Sequence, residues 1–158
     1  MHFLAHDDPS WPRLPERDMP SPGARPLLTL AQWQVQRGTW PAGQPVAVEL
    51  PNDADVVLLG ADLTRLTAVV LQFPKWTDGR AYSQARLLRT RHRFTGDIRA
   101  AGDVVVDMAP LLQRCGFSSA QLRAGQHLET ARRALRFFDA HHQGDVLQPR
   151  PRFAREAA

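Results

Sequence analysis

Residues 66–107 set the limits on how this chain can fold. A valine-rich apolar run stops at Phe73-Pro74, and a polar turn, Lys75-Trp76-Thr77-Asp78-Gly79-Arg80, follows. A helical pattern comes next, and a second short apolar run after Gly96 ends at Gly102-Asp103. Strand, polar loop, helix, strand and glycine loop in that order make a βαβ unit. Parallel strands require such a crossover, and it gathers their carboxyl-end loops at one edge, where α/β proteins bind ligands. A site is therefore expected at the loops that follow residues 73 and 102.

The flanking segments extend the pattern. Val46-Ala47-Val48-Glu49-Leu50 reads as a strand, punctuated by Pro51-Asn52-Asp53. Asp53 is placed to cap a helix through Val56, Leu59 and Leu63. The competing reading makes the VVLLG run a strand, because short apolar runs are ambiguous by period alone. Residues 67–73 form the next strand, and their continuous apolar character matches burial on both faces. A helix is predicted over residues 80–92, with Thr77 or Asp78 as its cap and Ala81, Ala85 and Leu88 on one face. Residues 97–101 form a short strand. A helix over residues 104–114 is closed by Gly116, and Pro110 either kinks it or delays its start. Residues 119–122 form the next strand. A helix over residues 127–142 carries Leu128, Ala131, Leu135 and Phe138 on its buried stripe.

The fold class is therefore α/β, with about four βα units on a parallel sheet. Right-handed crossovers put every helix on one face if the strands lie in sequential order. Such a sheet is half-barrel-like, and a small open, reordered sheet is the alternative. A half barrel leaves two edges and one face uncovered, which favours a homodimer or cover by another segment. Residues 1–45 are the natural cover. They hold eight of the thirteen prolines, at positions 9, 12, 15, 20, 22, 26, 41 and 45, and proline breaks both helix and ladder. This Pro-rich arm is expected to wrap the α/β domain of residues 46–143, pinned by Trp11, Trp33 and Trp40. Within it, Thr29 is placed to cap a helical turn. Residues 144–158, with Pro149 and Pro151, read as a flexible tail.

Composition narrows the function classes. The formal charge of +4 is carried by 19 arginines and one lysine. The arginines are spread among acids, without the basic stripe and interleaved aromatics of a specific nucleic-acid binder. No apolar run approaches the ~20 residues that span a bilayer. The N-terminus lacks the pattern of a secretory signal, so a cytoplasmic location is expected. One cysteine, Cys115, rules out an internal disulfide or a cysteine-held metal framework. His127, His141 and His142 have no metal-ligand spacing, so no metal site is expected. G-x-G-x-x-G and G-x-x-x-x-G-K-[ST] are both absent, and Ser83 lacks a G-x-S-x-G context.

The segment from Phe73 to Arg89, FPKWTDGRAYSQARLLR, resembles the signature of the DUF934 family. The likeness continues through Gly96-Asp97-Ile98-Arg99-Ala100-Ala101-Gly102-Asp103-Val104, Asp107 and Arg114-Cys115-Gly116-Phe117. Trp76 and Ala81 depart from it, where the family usually has phenylalanine and glycine. The resemblance to this family of bacterial proteins implies a link to sulfite reduction, with sulfite reductase as a partner and an oxidoreductase role. No cofactor is identified; flavin phosphate in the loops above the strands is the option that strains the fold least.

The residues themselves point to an oxyanion. Lys75 and Arg80 flank the start of a helix, whose free N–H groups favour negative charge. Arg99 lies on the next strand. Lys75, Arg80 and Arg99, with Tyr82 and Ser83 beside them, are expected to bind a small anion such as sulfite, sulfate or phosphate. Asp103 and Lys75 are the candidate catalytic groups, with Asp103 as general base or as a guide for an arginine. The competing reading is structural: Asp78 caps the helix, while Arg80 and Arg99 pair with Asp103 and Asp107. A scaffold without a ligand and an independent enzyme acting on a phosphorylated or sulfur-containing metabolite are the remaining readings.

Overall fold

The computed structural model describes residues 1–15, 18, 21, 23–138 and 141–154. Among these, six strands form β1 (His2–Leu4), β2 (Leu27–Thr29), β3 (Ala47–Leu50), β4 (Ala68–Phe73), β5 (Asp97–Gly102) and β6 (Ser119–Gln121). They make one open sheet in the order β1-β6-β5-β4-β3-β2, and every neighbouring pair is parallel. The connections carry α1 (Leu30–Gln36), a 3₁₀ segment (Val56–Arg65), α2 (Arg80–Thr90), α3 (Ala109–Cys115) and α4 (Leu128–Ala134).

The α/β class and the all-parallel sheet agree with the sequence reading. From β2 to β6 the strands lie in chain order, so right-handed crossovers place the helices on one side. The two faces of the sheet separate accordingly. Val48, Leu50, Val69, Leu71, Phe73 and Ile98 pack with Trp33, Leu59, Leu88, Leu112 and Ala131 from the helical connections. Each fully buried side chain of this size stabilises the fold by roughly 1.5–3 kcal/mol. Residues of the opposite parity, Leu27, Ala47, Ala68, Val70 and Ala101, pack instead against Trp11. The segment after β1 thus lies against the face that the helices leave bare.

Several boundaries differ from expectation. Residues 1–45 supply β1, β2 and α1 as well as the proline-rich crossing, so the boundary at residue 45 cuts through the sheet. Both missed strands are three residues long, too short for period-2 alternation to register. β1 pairs with β6 at the far edge, His2 opposite Ser119. Trp11, Trp33 and Trp40 are all buried. Pro20 and Pro22 lie outside the described residues. Thr29 does cap α1, and it forms a capping box with Gln32.

Asp55, rather than Asp53, caps the helical segment after β3, its side chain accepting from Val57 N. That segment is 3₁₀ throughout, with Gly60 in its middle weakening the α-helix. Gly79 sits at the N-cap of α2 without a side-chain bond, but Asp78 Oδ1 accepts from Arg80 N at 3.2 Å. Pro110 falls in the first turn of α3, where a missing N–H costs nothing, so the helix starts late behind a 3₁₀ turn. The last helix ends at Ala134 and Phe138 is exposed, against the stripe expected of it. α4 packs on β1, an edge strand, which leaves no sheet beneath a longer helix. Residues 139–140 of the expected helix lie outside the described residues. The start of the tail is tied down: Val146 N donates to Arg114 O at 3.1 Å. Residues 155–158 lie outside the description. No helix among the described residues is long and apolar enough to cross a membrane.

Candidate functional site

The loops after β4 and β5 meet at one rim, as the βαβ pattern requires. Asp103 N donates to Phe73 O at 2.8 Å. The Asp103 carboxylate accepts from Trp76 N at 2.9 Å and from Arg123 Nη1 at 2.7 Å. One carboxylate therefore ties together the loops after β4, β5 and β6. Gly102 permits the approach. Its φ is +96°, and a Cβ there would stand 2.4 Å from Phe73 O, so other residues are excluded by both strain and contact.

Beside this junction is a cavity of about 630 Å³. Its walls are Trp76, Tyr82, Val105, Val106, Met108 and Leu111, and its polar margin is Asp107, Arg123 and Gln126. Tyr82 is held edge-on to Phe73, with ring centroids 5.1 Å apart, and to Phe117 at 6.3 Å. Burial, aided by Cys115, pushes its phenol up to about 12. Its hydroxyl therefore stays protonated at neutral pH and can donate a hydrogen bond. Gln126 Oε1 accepts from Val106 N at 2.9 Å, which fixes the wall between the β5 and β6 loops. An apolar pocket with a few fixed polar groups at the carboxyl end of a parallel sheet is the usual form of a small-molecule site.

Of the expected anion residues, Arg80 is already paired and Arg99 lies apart. Arg80 is held by Asp78 through two hydrogen bonds, Nε–Oδ1 at 3.1 Å and Nη2–Oδ2 at 2.7 Å. Asn52 Nδ2 donates to the same carboxylate at 2.8 Å. The Arg80 side chain, the Arg80 N–H and Asn52 together hold the Asp78 carboxyl far below its usual range. One of the N–H groups that an anion would use at this helix start, that of Arg80, is thus already bonded to Asp78. Lys75 is exposed, and its ammonium has no bonded partner among the described residues. Ser83 is exposed on α2.

Arg99 is elsewhere. It is buried in the middle of β5 on the Trp11 side, where it donates to Ser119 Oγ at 3.2 Å and Ser10 Oγ at 2.8 Å. Asp97 and Asp8 lie at 3.5 and 3.6 Å. Its parity in the strand, shared with Asp97 and Ala101, sends it away from the helices and below the rim. Its carboxylate partners are Asp97 and Asp8, and Arg80's is Asp78, not the expected Asp103 or Asp107. For Asp103, the Trp76 N–H first and then Arg123 lower the pKa. An ionised, paired carboxylate with a lowered pKa is a weak general base at neutral pH; its evident role is to clamp the three loops.

Sequence reasoning missed Arg123, Gln126, Val105, Met108 and Leu111. The signal was present: Arg123 follows β6 as Lys75 follows β4, and parallel strands put both loops at one edge.

A family description, a bacterial protein of unknown function termed DUF934, matches residues 47–153. The chain belongs to the DUF934 family. No curated protein matches it. The DUF934 match starts at β3 and includes every loop of the rim, while β1, β2 and most of the proline-rich crossing precede it.

A larger cavity, about 790 Å³, lies at the opposite, amino end of β5 and β6. There Arg89 donates to the carbonyls of Gly116 at 2.9 Å, Phe94 at 2.6 Å and Gly96 at 2.7 Å, and to Ser118 Oγ at 3.2 Å. Desolvation lowers its pKa. Its donors are consumed in holding loops, which makes it a structural staple of this DUF934 chain. Cys115, half-buried near Tyr82, has its thiol pKa raised mainly by burial, with Arg86 and Arg114 opposing; a raised thiol is a poor nucleophile.

Proposed function

We propose that the chain is a binding protein that works through the rim cavity, taking a small molecule with a flat apolar body and an anionic group. The supporting observation is the cavity itself: two aromatic side chains, Met108 and two valines stand beside Arg123, with Lys75 on the adjoining loop. The apolar walls suit a ring system, and the two cations suit a phosphate or sulfonate. Flavin mononucleotide has both parts. With it we propose an accessory, electron-handling role beside sulfite reductase, the partner that the DUF934 likeness suggests.

Titration with flavin mononucleotide, followed by quenching of flavin emission, tests the reading. Saturable binding that weakens in Arg123→Ala and in Met108→Ala is the expected result. No binding by flavin mononucleotide at millimolar concentration removes the flavin assignment.

A second reading places a protein on the same rim. Trp76 is 55% exposed and Leu111 45% exposed at the cavity mouth, and exposed aromatic anchors are typical of docking sites. Co-purification with sulfite reductase that is lost in Trp76→Ala supports this reading; unchanged co-purification contradicts it.

A further inference from the structure

The Trp11 side of the sheet carries a second polar cavity. Two adjoining spaces, about 130 and 340 Å³, share Arg13, Gln72, Ala101 and Gln121 as walls. Gln72 stands opposite Ala101 in the ladder, and Gln121 follows Ala120, the partner of Ala100. Two long amides therefore flank a small residue, which leaves a notch between them. Buried parallel sheets ordinarily carry apolar residues at such positions.

The hydrogen-bonding groups of this notch are only partly used. Arg99 is buried, with a side chain 9% exposed. Its Nε and Nη1 are engaged by Ser119 and Ser10, while Nη2 has no hydrogen-bond partner among the described residues. Gln72 makes no side-chain hydrogen bond among the described residues. Gln121 donates from Nε2 to His6 O at 2.7 Å, leaving Oε1 as an acceptor. Spare donors and spare acceptors occur together, so the complementary ligand has both kinds of group.

Charge decides which ligand. Arg13 pairs with Glu49, Arg99 lies between Asp8 and Asp97, and Arg25 covers the Trp11 ring at 4.6 Å. Two guanidiniums, Arg13 and Arg99, thus stand among three carboxylates, Glu49, Asp8 and Asp97, so the cluster carries no excess positive charge. A bare oxyanion would meet no excess positive charge there, whereas a molecule that brings both signs meets both.

We infer that this cavity binds a small zwitterion, an α-amino acid, with its carboxylate toward Arg99 and Gln72 and its amino group toward the Gln121 amide oxygen. The site is separate from the rim cavity, which shares none of these walls.

Thermal unfolding of the full chain in the presence of each proteinogenic amino acid at millimolar concentration tests it. At least one is expected to raise the Tm in a saturable way. The rise disappears in Gln72→Met, a change of similar volume that keeps the fold, and persists in Trp76→Ala at the rim. Circular dichroism checks that Gln72→Met is folded. The inference is overturned if no amino acid shifts the Tm, if the shift survives Gln72→Met, or if sulfate alone reproduces it.

Discussion

Arg89 joins α2 to the segments on both sides of β5 through bonds to three carbonyls and one hydroxyl. Replacing it by alanine strands those acceptors and removes a half-buried stem. Arg89→Ala is expected to cost about 3 kcal/mol or more in denaturant unfolding, with no change in ligand binding at the rim. The acidic clamps respond to pH. Asp78 and Asp103 both have pKa values depressed in the folded state. Their stabilising effect is therefore present above the unfolded carboxylate value, about 3.9, and is lost as pH falls through the lower folded values. Urea midpoints measured from neutral pH down to about pH 3 should fall at the acid end. Asp103→Asn should be less stable than the parent at neutral pH, and the gap should narrow on acidification. A gap that widens would contradict the assignment. The placement of individual side chains was the least legible part of the sequence. Arg80 met Asp78, two residues away, rather than a ligand, and that contact depends on a local turn geometry that residue type alone does not specify. Arg99 was assigned to the rim from its position in the chain, yet strand parity sends it to the other face.

At the scale of elements, β4 was readable as a near-continuous apolar run and β5 as the short strand beyond the next helix, while sequential and reordered strand orders both fitted the sequence. β1 and β2 were not readable, since three residues inside a proline-rich segment carry no period. The loop after β6 was overlooked for a related reason: its strand is also only three residues long. Two element-scale changes test the packing. Gly102→Ala places a Cβ against Phe73 O at a positive φ and should destabilise by about 2 kcal/mol, loosening the Trp76–Asp103 contact with it. Trp11→Ala removes the largest side chain of the buried cluster that includes Ala47, Ala68 and Ala101. A loss of about 3 kcal/mol is expected in chemical unfolding. A neutral result would mean that the crossing after β1 does not cover that face in solution.

For the whole molecule, an all-parallel sheet with its helices on one side has two different outer surfaces. The helix side holds the large apolar core; the other side holds a smaller apolar cluster beside the Arg99 network, and the N-terminal crossing lies against it. The two proposed sites lie on different parts of this arrangement, one at the carboxyl-end rim and one in the notch under the crossing. On the reading proposed above, the loops after β4, β5 and β6 jointly form the binding site. Backbone amide NMR during a titration with flavin mononucleotide tests it most directly. Progressive, saturable shifts at Trp76, Val105, Val106, Met108 and Gln126 together are the predicted outcome. Saturable shifts confined to residues at the amino ends of β5 and β6, around Arg89 and Ser118, would contradict it.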